Sequence, residues 1–111
     1  MLELITLPID DAIAQARATG ARQTRALVRT PEARVMLVGM ASGSEWPEHK
    51  AAGRVVVRVE RGRVEFLIDG TTHALHAGEL ATVEPGETHT VRALEDAALL
   101  VIVAGPAMSA R

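Results

Sequence analysis

The sequence predicts an all-β domain, a sandwich or closed barrel of eight or nine short strands behind one short helix, and three observations point to it. Glycines recur at Gly62, Gly70, Gly78 and Gly86, eight residues apart, an interval that leaves room only for short strands between turns. The segments around them carry apolar residues in the period-two pattern of strands rather than the helical one. Asp69-Gly70 is a strong hairpin signal, because the favoured two-residue turn needs positive φ at both central positions. With no helical pattern among the strands, a sandwich or a barrel remains, and closure is favoured because it leaves few exposed edges.

At the N-terminal end, Asp10 and Asp11 are placed to cap a helix running from Ala12 to Ala18, and Gly20 to end it in a left-handed conformation. Its short alanine-rich face suits an arm lying on the barrel or on a partner subunit, or one left solvated. Strand character begins at Arg25-Ala26-Leu27-Val28 and resumes from Arg34 to Val38 after the turn Thr30-Pro31-Glu32. Further strands are expected from Val64 to Ile68, Thr71 to Leu75, Glu79 to Val83, Thr90 to Leu94 and Ala98 to Val103, the last two joined across Glu95-Asp96. The expected organisation is a single domain over 1–111, with an arm at 1–23, a barrel at 24–104 and a tail at 105–111.

A chain of 111 residues can bury one core, and 48% hydrophobic with 23% charged residues is a globular composition. Trp46 and Phe66 are the only aromatic residues and tyrosine is absent, so a cavity would be lined by Val, Leu, Ile, Met and Ala. A net charge of −2 provides no electrostatic footprint for nucleic acid. The absence of cysteine removes disulfides, thiolate zinc sites and a thiol nucleophile together. The first residues lack the basic and apolar regions of a signal peptide, and the longest apolar run, Ala97 to Ala104, is far short of a membrane span. A cytoplasmic protein without membrane or nucleic-acid partners is the expectation.

Two stretches carry the chemistry. The first runs from Gly39 to Gly62 and contains Trp46-Pro47-Glu48-His49-Lys50 and Glu60-Arg61-Gly62; the second is Gly78-Glu79-Leu80-Ala81-Thr82-Val83-Glu84-Pro85-Gly86-Glu87-Thr88-His89. Together they resemble the paired motifs of the cupin superfamily, which implies a double-stranded β-helix, the jelly-roll barrel of small RmlC-like cupins. In that family the first motif supplies two histidines one residue apart, then a glutamate seven residues before the closing glycine, and the second motif supplies another histidine. Registered on Gly62, these positions fall on His49, Ala51, Val55 and His89, so two of four ligands are present. Glu84 and Ala93 are smaller departures, standing where proline and asparagine are common.

Alternation along a strand puts His49, Ala51, Val55, Val57 and Val59 on one face and Lys50, Arg54, Arg58 and Glu60 on the other, so the missing ligands are replaced by apolar lining. His49 and His89 are the candidate polar contacts, or the ligands of one divalent ion, iron, zinc, manganese or nickel, that Glu45, Glu48 or water would have to complete. Trp46 is a candidate pocket cap, Val55 a lining residue, and Met36 and Met40, with Val38, candidate cavity walls as well as core. His73 and His76 match no ligand position, and the Arg54, Arg58, Arg61 and Arg63 series, interleaved with Glu60 and Glu65, reads as a solvated face or subunit contact.

The function expected is binding of a small organic molecule in a largely apolar barrel. The alternatives are a metal-dependent oxygenase or isomerase with a non-standard ligand set and a non-catalytic accessory homodimer; the resemblance implies a dimer in any case. No catalytic residue is assigned.

Overall fold

The computed structural model describes residues 1–105. One helix, α1 (Ile9–Thr19), precedes nine strands: β1 (Gln23–Arg29), β2 (Ala33–Met40), β3 (Glu45–His49), β4 (Arg54–Arg61), β5 (Arg63–Ile68), β6 (Thr71–His76), β7 (Leu80–Val83), β8 (His89–Ala93) and β9 (Ala97–Ala104). They form two antiparallel sheets, a five-stranded one in the order β1-β2-β9-β4-β7 and a four-stranded one in the order β3-β8-β5-β6. This is the expected jelly-roll barrel. Its walls close by packing of the two inner faces, so β1, β7, β3 and β6 remain edge strands.

The four periodic glycines all have positive φ, in the joins between strands that the spacing predicted. Asp69 and Gly70, at φ 51 and 72, make the two-residue turn that sets Ile68 opposite Thr71. The expected tail lies outside the described residues beyond Gly105.

Two expectations are corrected. Asp10 and Asp11 do not cap α1, which begins at Ile9 after Pro8 with no side-chain cap bond; both lie in its first turn, where negative charge suits the helix dipole, and Asp10 pairs with Arg61. Gly20 does end the helix, at φ 70. The segment from His49 to Glu60 is not one alternating strand either. The chain leaves the four-stranded sheet after His49, turns through residues 50–53 and enters the five-stranded sheet at Arg54.

The helix lies on the outer face of β2, burying Ala12 and Ala16, and Leu37 of that face is also fully buried. Gly39 permits this approach: a Cβ there would stand 2.3 Å from the Ala12 carbonyl oxygen. Arg17 reaches Asp96 at 3.3 Å, and Asp96 also accepts the Ser42 backbone N–H at 2.8 Å. The arginines of β4 and β5 are spent separately, Arg58 on Glu60, Arg61 on Asp10, Arg63 beside Glu95 and Arg54 on the Thr82 hydroxyl, so they form no joint anion site.

Inside, the register sets the core in layers. Val103 pairs with Val55 and Val55 with Val83; next come Met36, Val101, Val57 and Ala81; then Val38, Leu99 and Val59; then Met40 with Ala97. The facing sheet supplies Trp46, Val91 and Phe66 in one row and Ala93, Val64 and Leu75 in another. The layers of Val38 and Met40 are tightly filled, with Met40 wholly buried, while the layers of Met36 and Val55 are not.

Candidate functional site

The unfilled layers enclose a cavity of about 100 Å³. Its walls are Val55, Val57, Val91, Leu99, Val101, Val103 and the buried ring of His89, and half-buried Met36, Trp46, His49 and Ala51 form its rim. Five of the six sequence-predicted ligand contacts thus meet in one place: His49, His89, Val55, Trp46 and Met36. Met40 does not join them, because it stands four residues further along β2, two layers deeper, against Ala97. Ala51 and Val55, the positions of the missing ligands, both border the cavity.

A β-bulge makes this convergence. Trp46 pairs with Val91 and His49 with His89, so three steps along β3 match two along β8. In a regular strand Trp46 and His49 would point to opposite faces; the extra residue puts both on the cavity side and leaves Pro47 and Glu48 exposed. Pro47 is tolerated because β3 is an edge strand. The bulge therefore does not turn Glu48 inward, as metal binding would have needed.

The result is a row of rings. The Trp46 indole stacks on the His49 imidazole at 4.4 Å and 10°, His49 meets His89 edge-on at 4.1 Å, and Phe66 follows His89 at 6.0 Å. The Arg22 guanidinium lies 4.8 Å over Trp46. Stacked pairs of this kind contribute about 0.5–1.5 kcal/mol beyond burial, and a cation over an exposed indole about 0.5–1 kcal/mol. Arg22 and Phe66 were missed as site residues. Phe66, the only phenylalanine, had a usable signal in its scarcity; Arg22, in the link between α1 and β1, had none.

Each imidazole is fixed the same way, by the backbone two residues upstream: His49 Nδ1 lies 2.7 Å from the Pro47 carbonyl oxygen and His89 Nδ1 3.2 Å from that of Glu87. A carbonyl only accepts, so Nδ1 donates in both rings. Burial holds the His49 pKa below the ordinary 6.5; the Pro47 carbonyl opposes this, while His89 and Arg22 add smaller effects in the same direction as burial. His73 and His76 are exposed on β6.

The donor set does not fit a resident metal ion. Catalytic sites usually give a transition metal three protein ligands, and here only two imidazoles face a cavity otherwise bounded by apolar side chains. Among the described residues no group of three or more His, Cys, Asp or Glu side chains could hold an ion. Chemically the arrangement is an apolar hollow with two fixed acceptor nitrogens.

Comparison with known proteins agrees with this architecture. The family model described as a cupin domain matches residues 36–105, well over half of the chain. Among solved structures, a conserved protein of unknown function from Streptococcus pyogenes is 25% identical with a TM-score of 0.72, covering 77% of this chain and 75% of its own. An RmlC-like cupin from Shewanella frigidimarina is 22% identical, TM-score 0.73, covering 80% and 79%. A cupin superfamily protein from Desulfitobacterium hafniense is 17% identical, TM-score 0.73, covering 76% and 77%. No curated protein is similar enough to count as a match. No helix among the described residues is long and apolar enough to cross a membrane.

Proposed function

The chain belongs to the cupin domain family, and from that premise we propose that it binds a small organic molecule in the cavity between its sheets, with His49 and His89 as the polar contacts. The observation that carries this reading is the imidazole pair, rings 4.1 Å apart, set into an otherwise apolar wall. A mostly apolar hollow with a few placed polar groups is the usual form of a small-molecule site. An oxygenase or isomerase running through a bound metal would need ligands that Ala51 and Val55 do not supply.

A methyl-labelled sample of untagged protein, screened by NMR against a library of small organic compounds, tests the proposal. Binders should shift the methyls of Met36, Val55 and Val101 together, and His89→Ala should abolish the effect of those that carry polar groups. Should no compound move these methyls, or should the purified protein carry a stoichiometric divalent ion held by His89, the proposal fails.

We read the assembly as a homodimer. Met1, Leu2, Leu4 and Ile5 are exposed apolar side chains at the start of the chain, and grouped apolar surface is the usual mark of an interaction site. Light scattering at micromolar concentration should give twice the monomer mass; a monomer would overturn this part alone.

A further inference from the structure

The hydrogen-bond polarity of the cavity is fixed by the chain itself. Because each Nδ1 gives its hydrogen to a backbone carbonyl, a neutral ring is left with a lone pair at Nε2. Neither Nε2 has a hydrogen-bond partner among the described residues. Two such nitrogens cannot satisfy each other, since both accept.

Nothing else around the cavity supplies a hydrogen. Of its other bordering side chains only that of Trp46 carries a donor, and the indole lies nearly parallel to the His49 ring, so its in-plane N–H is not aimed at that ring's nitrogen. An acceptor set among apolar side chains is stabilised by a donor, and both rings border the cavity. A molecule entering through the open rim can supply that hydrogen in place of water.

We propose that the cavity selects a neutral hydrogen-bond donor, an alcohol or phenol on a small apolar body, over a hydrocarbon of the same shape and over a carboxylate. This rests on the reading of the cavity as a ligand site and assigns its ligand class. The size follows from the volume: apolar cavities of about 150 Å³ take up benzene, so about 100 Å³ with an open rim suits a single ring or a few carbons. A hydroxyl placed between the rings satisfies an acceptor, whereas a carboxylate sets lone pairs against lone pairs and brings a charge among valines. Arg22 does not alter this, being stacked on Trp46 and not part of the cavity lining.

The test is an NMR titration of the full chain at pH 8 with phenol, toluene and sodium benzoate. Phenol is expected to bind at least tenfold more tightly than either of the others, because a site built to pair a hydroxyl rejects analogues that lack it. His89→Leu, checked by its methyl spectrum for an intact fold, should bring phenol down to the affinity of toluene. Equal binding of phenol and toluene by the unaltered protein would overturn the donor selectivity while leaving the ligand cavity standing. Preferred binding of benzoate would overturn it in favour of anion recognition. If none of the three bound, the selectivity and the ligand site would fall together.

Discussion

Met36 and Met40 stand on the same face of β2, four residues apart, and meet different surroundings. Met40 is wholly enclosed beside Ala97, in the end of the barrel that Val38, Val59, Val64, Ala93 and Leu99 fill. Met36 sits at the rim of the hollow end, among Val57, Val101 and the imidazole pair. Identical side chains on one strand thus separate two uses of the same interior: one end packs for stability, and the other forgoes packing to keep a space. The difference comes from what the facing sheet contributes, Ala93 and Val64 at one end, and at the other two flat histidine rings that leave room beside them.

The comparison is broken most directly by truncating each methionine. Met40→Ala should cost about 2–5 kcal/mol in denaturant unfolding, the range for emptying a filled core site, whereas Met36→Ala should cost less than about half as much because the cavity already denies it partners. Equal losses would mean that the two ends are packed alike.

A second experiment asks whether the hollow end is a metal site with two ligands removed. In the double variant Ala51→His, Val55→Glu, both new side chains border the cavity that His49 and His89 already share. Without metal, the buried carboxylate should destabilise the fold by several kcal/mol. With zinc at a hundredfold excess over its dissociation constant, about 2.7 kcal/mol should return. A thermal midpoint that does not respond to zinc would show that the geometry of the site has been lost with the ligands.

The smallest effect concerns pH. The folded pKa of His49 lies below the unfolded value of 6.5, so in the interval between them the unfolded chain takes up a proton that the folded chain refuses. Stability contributed by neutral His49 is therefore present above 6.5 and lost as pH falls through the lowered folded value. Urea midpoints at pH 8 and pH 5.5 should separate more for the unaltered protein than for His49→Gln. No such change is expected at the filled end, which contains no histidine.

The frame was legible in the sequence because turns at Gly62, Gly70, Gly78 and Gly86 need positive φ, which side chains rarely adopt, and because Asp69-Gly70 encodes its turn locally. The pair His49 and His89 was legible from motif spacing. What could not be read depended on chain path. Alternation gave the right inward set at Val55, Val57 and Val59, but it ran a single strand across residues 50–53, where the chain in fact changes sheets. The bulge that aligns Trp46 with His49 is a matter of pairing with β8, and Arg22 reaches Trp46 only because α1 docks on β2. Neither leaves a local signature.

The stack of Trp46 on His49 also gives the molecule a built-in optical probe. Trp46 is the only tryptophan, and tyrosine is absent, so all emission excited at long ultraviolet wavelengths originates at the rim of the cavity, between a guanidinium and an imidazole. Protonation of His49, displacement of Arg22 or arrival of a guest beside the ring would each be recorded as a change in intensity or colour. The filled end, which has no chromophore, stays dark, so occupancy of the hollow end can be followed in real time in the unmodified protein.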